Sequence, residues 1–305
     1  MNLTDQYKKL LNRSASVLNI YHKDLDGCAS SVVVKNIFKN VEYKDLRYGF
    51  VNEYMSRVDY SKYDVVLLTD ISPETAEPFS YSDNIFLLDH HDTAVEYHNP
   101  EKNRIVMTGN SAAHLCKEFF ENLYGIDLSY LNDFCNAVND YDMWINKIPE
   151  GWMLNELYFK LWDEKFRARF RGGNIQLSND ETEYIKTRKK LLNEKFNELI
   201  LYNCDHINGC FFISTNFIND LCHKLLSEKG FDLVVCVNPK TKNCSVRTSE
   251  RIPVHIGEIL KQVDLGGGHS HAGGFVVEEI SQSEDMIMKI ERQIISSYPE
   301  LKKRN

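Results

Sequence analysis

Two apolar runs constrain this chain most. YDVVLLTD (63–70) and NIFLLDH (84–90) are each of buried-strand length, too apolar to lie on a half-wet sheet, and each carries an acid at its end. Continuous Val/Ile/Leu runs of this kind belong to strands covered on both faces, as in parallel sheets. The neighbouring sequence agrees. SVLNIYH (16–22) reads as a strand, ASSVVVKNIFKN (29–40) as a helix, VEYKDLRY (41–48) as a strand, and SAAHLCKEFFENLY (111–124) as a helix. Strands alternating with helices predict a mostly parallel α/β sheet, and ligands of such sheets collect at the carboxyl ends of the strands.

From about Trp152 to Tyr202 the strand signal disappears. GGN at 172–174 breaks a helical stretch, and ETEYIKTRKKLLNEKFNELILY (181–202) reads as one amphipathic helix. Strand patterns then return at GCFFIST (209–215), FDLVVCVN (231–238) and CSVRTS (244–249), with a helix near 218–229. A glycine-rich turn at 266–268, a last strand GFVVEE (274–279) and a closing helix follow. The expected organisation is a parallel-sheet domain over 1–165, a helical linker over 166–203 and a smaller α/β domain over 204–305, with a ligand cleft between the two domains.

The formal charge of −8 argues against a protein that coats long nucleic acid, because that affinity comes from many Lys and Arg contacts to phosphate. A small anion can still bind through a metal or a local basic pocket. Eight cysteines without a CxxC pair, behind an N-terminus (MNLTDQYKKLLNRS) that reads as a short polar helix and not a signal peptide, suggest free thiols and a cytoplasmic setting. No apolar run is long enough to span a membrane.

The chemistry-bearing residues gather at strand ends. His22, Asp24 and Asp26 alternate in YHKDLDG, and alternate residues of extended chain share a face. The third strand ends in Asp70 and the fourth in Asp89, His90 and His91. NDYDMW (139–144) adds Asp140 and Asp142. Each alone has an ordinary reading. Asp70 is as well explained by a turn before Ser72-Pro73, His22 by a hydrogen-bonded surface position, and Asp140 by helix capping. In a parallel sheet, however, these ends adjoin. Carboxylates brought that close repel one another, and divalent cations resolve the repulsion. Mixed Asp/His donors suit manganese, zinc, iron or cobalt, and paired metals are the usual device for attacking phosphate esters.

With these motifs in order, the chain resembles the DHH/DHHA1 phosphoesterases. The resemblance rests on HKDLDG, the LLTD aspartate, Asp89-His90-His91, YDMW and GGGHSHAGG (266–274), and within the family it points to the nano-RNase (oligoribonuclease)-like branch. The resemblance implies two divalent metals, Mn²⁺ first among them. One is held by His22, Asp24 and Asp70. The other is held by Asp26, Asp70, His90 and Asp142, with Asp70 bridging and Asp140 as the alternative to Asp142. It also implies His91 at the scissile phosphate and Asp89 orienting a histidine. The sequence departs from many relatives in placing only Lys23 between His22 and Asp24.

In the second domain Gly266, Gly267, Gly268 and His269, with Arg247, are the expected grip on a terminal nucleotide. His271, Asn219 and His223 are weaker candidates. KFRARFR (165–171) reads first as a solvated helix face or hinge and only second as a nucleic-acid patch. The implied activity is exonucleolytic hydrolysis of very short RNA or DNA oligonucleotides to mononucleotides by a metal-activated hydroxide. Hydrolysis of cyclic dinucleotides or a nucleoside bisphosphate is the alternative. A catalytically decayed nucleotide sensor is the alternative of another class. A pyrophosphatase would carry a lysine- and arginine-rich second domain, and a processive exonuclease would need further domains. Homo-oligomer formation stays open.

Overall fold

A computed structural model describes residues 9–97, 103–268 and 270–303. The chain divides into two compact units, Met1–Ile185 and Lys186–Asn305. Residues 1–8 of the expected N-terminal helix, and His269, lie outside the described residues.

The first unit is built on five strands: β1 Ser16–His22, β2 Asn40–Leu46, β3 Val65–Thr69, β4 Ile85–Asp89 and β5 Arg104–Val106. They pair in the order β2-β1-β3-β4-β5, and every pairing is parallel. The two apolar runs become β3 and β4, buried at every position. Their central places in the sheet explain why they lack polar alternation. The strand β5 has no sequence signal of its own: three residues, RIV, are too few for a pattern, and pairing to β4 supplies the order.

The helices are α1 Leu25–Ile37, α2 Val51–Met55, α3 Asp92–Tyr97, α4 Ala112–Tyr124, α5 Asn132–Asp142, α6 Pro149–Phe170 and α7 Asn179–Asn197. One face of the sheet packs Val17, Tyr21, Val65, Leu67, Phe86 and Leu88 against α1, α4, α5 and α6. The other packs Leu18, Ile20, Val66, Leu68 and Leu87 around Val51 and Met55 of α2. The helix α1 starts at Leu25, ahead of the expected 29–40, because Asp24 caps it by accepting from the Gly27 amide at 2.9 Å. The helix α7 ends at Asn197, and Tyr202–Asn203, whose tyrosine was expected to close that helix, instead form a short strand.

KFRARFR is a packing face. Phe166 and Phe170 are fully buried, the Arg167 guanidinium lies 4.0 Å from the Tyr43 ring centroid, and Arg169 donates to Glu181 at 2.8 Å.

The second unit holds β6 Tyr202–Asn203, β7 Gly209–Ile213, β8 Leu233–Val237, β9 Asn243–Thr248, β10 Gly266–Gly268 and β11 Ala272–Val276, with α8 Ile218–Glu228, α9 Ile256–Gln262 and α10 Ser283–Ser297. The sheet order is β10-β11-β9-β8-β7-β6. Only β7 and β8 pair in parallel. The expected turn at 266–268 is the edge strand β10, paired antiparallel to β11. The glycines are required by close backbone approach. A Cβ on Gly266 would stand 2.1 Å from the Gly274 carbonyl oxygen, and one on Gly257 would stand 2.0 Å from that of Gly268. All eight cysteines are free and buried. Among the described residues no helix is long and apolar enough to cross a membrane.

Candidate metal centre

The strand order of the first unit reverses between β1 and β3, the place where open α/β sheets leave a crevice at their carboxyl ends. Here β1 delivers His22 and leads into Asp24 and Asp26, β3 leads into Asp70, and β4 delivers Asp89 followed by His90 and His91. Asp142 comes from the last turn of α5. His90 Nε2 lies 3.1 Å from Asp70 Oδ1, 3.6 Å from Asp26 Oδ2 and 3.6 Å from Asp142 Oδ2. His22 Nδ1 lies 2.7 Å from Asp24 Oδ2 and 3.8 Å from Asp70 Oδ2. Three donor groups result, each with its ligand atoms within 4.8 Å of one another: His22, Asp24 and Asp70; Asp26, His90 and Asp142; and Asp70, Asp89, His90 and His91.

Local structure fixes these side chains. The Asp26 carboxylate accepts the Ala112 and Ala113 amides at 2.6 and 3.0 Å, at the positive end of α4. Asp89 Oδ1 accepts the His90 amide at 2.7 Å and faces His91 Nδ1 at 2.8 Å, so it shapes the turn that presents both imidazoles. Asp70 stands in the left-handed region, φ 60°, where only a short polar side chain or glycine sits readily. Beneath it Thr69 Oγ1 is held by Ser30 at 2.8 Å and Asn19 at 3.1 Å.

Asp140 and Asp142 are separated by about 200° around the helix and cannot face the same way. Asp142 goes to the site. The Asp140 carboxylate accepts the Lys147 and Ile148 amides at 3.1 and 2.8 Å and closes the turn into α6.

Gly27 has a steric reason to be glycine. A Cβ there would meet the His22 carbonyl oxygen at 2.1 Å, since α1 starts hard against the end of β1. Gly27→Ala should cost about 1–3 kcal/mol of stability by overpacking and displace His22. Thermal melts with and without Mn²⁺ check this, and the metal-induced shift should shrink along with the midpoint.

The electrostatics favour cations. Burial, reinforced by the Asp26, Asp24, Asp142 and Asp89 charges, pushes the Asp70 carboxyl well above the ordinary range, and burial with Asp26 and Asp24 does the same to Asp142. Burial raises Asp26 as well, though His90 and the Ala113 and Ala112 amides oppose it. Burial would also raise Asp24 and Asp89, but His22 holds the first below its usual value and His91 lowers the second to about 2. Among the described residues no N–H or O–H group donates to the buried Asp70 Oδ2. An uncompensated buried oxygen, surrounded by four further carboxylates and three imidazoles, fits a pair of divalent cations with mixed N/O ligands.

The sequence reading missed Tyr48. Its hydroxyl lies 3.0 Å from a His91 ring nitrogen, and its ring centroid lies 4.7 Å from that of His22. Position alone marks it: RYGF turns off β2 next to β1, and the acid near the end of β2, Asp45, pairs with Lys23 and not with the site.

In the second unit Arg247 donates from Nη2 to Asn219 Oδ1 at 2.8 Å and from Nη1 to the Gly273 carbonyl at 3.2 Å. Asn219, expected to cap or meet solvent, thus orients the guanidinium. His271 Nδ1 pairs with the Thr248 hydroxyl at 3.1 Å, and His223 is half-buried on α8.

No protein-family model matches the chain, and no curated protein matches it. Solved structures do. The DHH domain of a member of a ribosomal-protein family superposes with a TM-score of 0.64 at 13% identity, covering 96% of this chain and 89% of that one. RecJ from Thermus thermophilus in complex with Mn²⁺ gives a TM-score of 0.60 at 13% identity. The match covers 95% of this chain and 54% of RecJ. A pGpG-specific phosphodiesterase from Vibrio cholerae gives 0.55 at 16% identity, covering 92% of this chain and 99% of that one. The fold of this chain is that of the DHH-domain proteins.

Proposed function

We propose that this protein is a metal-dependent phosphodiesterase of the DHH/DHHA1 family that hydrolyses very short oligonucleotides to mononucleotides. The observation that carries the reading is the convergence of three strand ends and the end of α5 on one crowded acidic spot, with Asp70 common to two of the three donor groups. The relatives in fold support the substrate class: one is an exonuclease seen with Mn²⁺ and another is a phosphodiesterase specific for pGpG. The net charge of −8 favours short substrates over long polymers.

In this reading His22, Asp24 and Asp70 hold one cation, and Asp26, Asp70, His90 and Asp142 hold the second. When bound, the two ions, Mn²⁺ by preference, supply a water of lowered pKa and neutralise charge developing on the phosphoryl oxygens. Asp26, fixed by two backbone amides, and Asp70, fixed by its strand end, keep their oxygens in place without reorganisation. Asp89 accepts a hydrogen bond from His91 Nδ1–H, and His91 Nε2, 3.0 Å from the Tyr48 hydroxyl, is assigned to take up or return a proton at the substrate. Arg247, Gly266, Gly267, Gly268 and His269 are assigned to the sugar and phosphate of a terminal nucleotide.

The test is a substrate panel with added Mn²⁺: di- to decanucleotides of both sugars, cyclic dinucleotides, adenosine bisphosphate and pyrophosphate. Dinucleotides should be cleaved fastest, decanucleotides poorly, and a chelator should stop turnover. Tight nucleotide binding with no hydrolysis of any phosphodiester would leave the sensor reading in its place.

A further inference from the structure

The helix α6 contains a residue out of character with its place. Tyr158, Trp162, Phe166 and Phe170 recur at four-residue spacing, which puts them on one stripe of a helix. Tyr158, Phe166 and Phe170 are fully buried, whereas Trp162 is 52% exposed. The reason is local. Trp162 has φ 58° and ψ 175°, which breaks the helix and turns the indole out of the stripe. Only glycine adopts such a conformation without strain. An indole sent to solvent at the expense of backbone strain suggests a use for it there.

Its surroundings say what use. Phe159, 51% exposed, stands at 89° to the indole with ring centroids 6.2 Å apart. The Lys23 ammonium lies 5.9 Å from the indole centroid and is held by Asp45 at 2.5 Å. Trp162 packs on Tyr158 with ring centroids 6.2 Å apart, and the Asp24 charge acts on the Tyr158 hydroxyl, so the exposed rings lie on the side of the first unit that carries the first donor group. The hydroxyl of Tyr158, whose ring is T-shaped to the indole, makes no hydrogen bond among the described residues. A flat π-surface with a cation at its rim, beside a centre suited to phosphate, matches the base of a nucleotide. Stacking tolerates any base because every base has a π-face.

We propose that Trp162, with Phe159, is a stacking platform for the nucleobase of the substrate nucleotide whose phosphate lies at the Asp70 centre. The inference rests on the proposed function and names a subsite for it.

The experiment compares the wild type, Trp162→Phe and Trp162→Gly. Without metal, adenosine monophosphate should quench the tryptophan fluorescence of the wild type. Trp162→Phe, which keeps Trp144 and Trp152, supplies the background. With Mn²⁺, Trp162→Gly should raise KM for a dinucleotide roughly 5- to 150-fold, the range expected for loss of one stacked base. It should also lose the preference for that dinucleotide over its abasic counterpart, while Trp162→Phe keeps most of it. Because glycine relieves φ 58°, the thermal midpoint of Trp162→Gly should hold or rise. A structural tryptophan would instead lose stability. An unchanged KM, or an unchanged preference over the abasic substrate, overturns the platform. If the wild type hydrolyses no phosphodiester, the proposed function fails by itself, and the monophosphate titration still decides: no quenching attributable to Trp162 refutes the subsite.

Discussion

Asp70→Ala should lower kcat on a dinucleotide by at least about 10³-fold, since about 4 kcal/mol of transition-state stabilisation is a modest share of what a metal pair supplies. The expectation follows from where Asp70 stands. Its Oδ1 is 3.1 Å from His90 and its Oδ2 is 3.8 Å from His22, so one carboxylate faces both sides of the centre. No neighbour can replace it: Asp89 is engaged with the His90 amide and His91, and Asp26 with two helix amides. Single-turnover assays at saturating Mn²⁺ separate a lost chemical step from weak metal binding. A variant within tenfold of the wild type would remove Asp70 from the bridging position.

The second large effect is on stability. Mn²⁺ at a hundred times its Kd should stabilise the folded protein by about 2.7 kcal/mol, a shift of roughly 5–10 °C in thermal midpoint. The sign of the pH dependence follows from the carboxyls. Asp70 and Asp142 have raised folded values. Their contribution to stability is therefore complete below the unfolded value and is lost as pH rises through the raised one. Asp24 and Asp89, held low, contribute above the ordinary carboxylate value and lose that contribution only as pH falls through their depressed ones. The metal-free protein should thus weaken from mildly acidic to neutral pH, where added cations restore it. Asp70→Asn removes the most frustrated charge and keeps a side chain that tolerates φ 60°. It should be more stable than the metal-free wild type at neutral pH and show a clearly smaller Mn²⁺ shift, since only the Asp26, His90 and Asp142 group is left without it. Melts showing an equal Mn²⁺ shift in both proteins would count against the centre.

Much of the site could be read from sequence because its members sit at the ends of patterned elements. Once VVLLT and IFLLD are buried parallel strands, Asp70 and Asp89-His90-His91 must leave the same edge of one sheet. The alternation of His22, Asp24 and Asp26 did not survive as simple extended chain. Asp24 turns into the cap of α1, and Asp26 lies inside that helix, yet one helical turn keeps both near β1. Tyr48 escaped because its role depends on β2 lying beside β1, and no residue near it reports that adjacency. Gly266–Gly268 escaped as a strand because three glycines carry no side-chain pattern. Only the pairing with β11 orders them.

The sequence by itself determined the layers of the first unit and the identity of the acids and histidines offered at its strand ends, because burial period and residue chemistry are local properties. Tertiary structure brought Asp142, already preferred on the YDMW motif, beside His90 and gave Asp140 to the turn into α6, since helical phase relative to a neighbour is not local. It also decided that Asn219 holds Arg247, and that Trp162 leaves the buried stripe its spacing assigns it. Each of those outcomes depends on contacts between residues distant in the chain, whose energies no single segment contains.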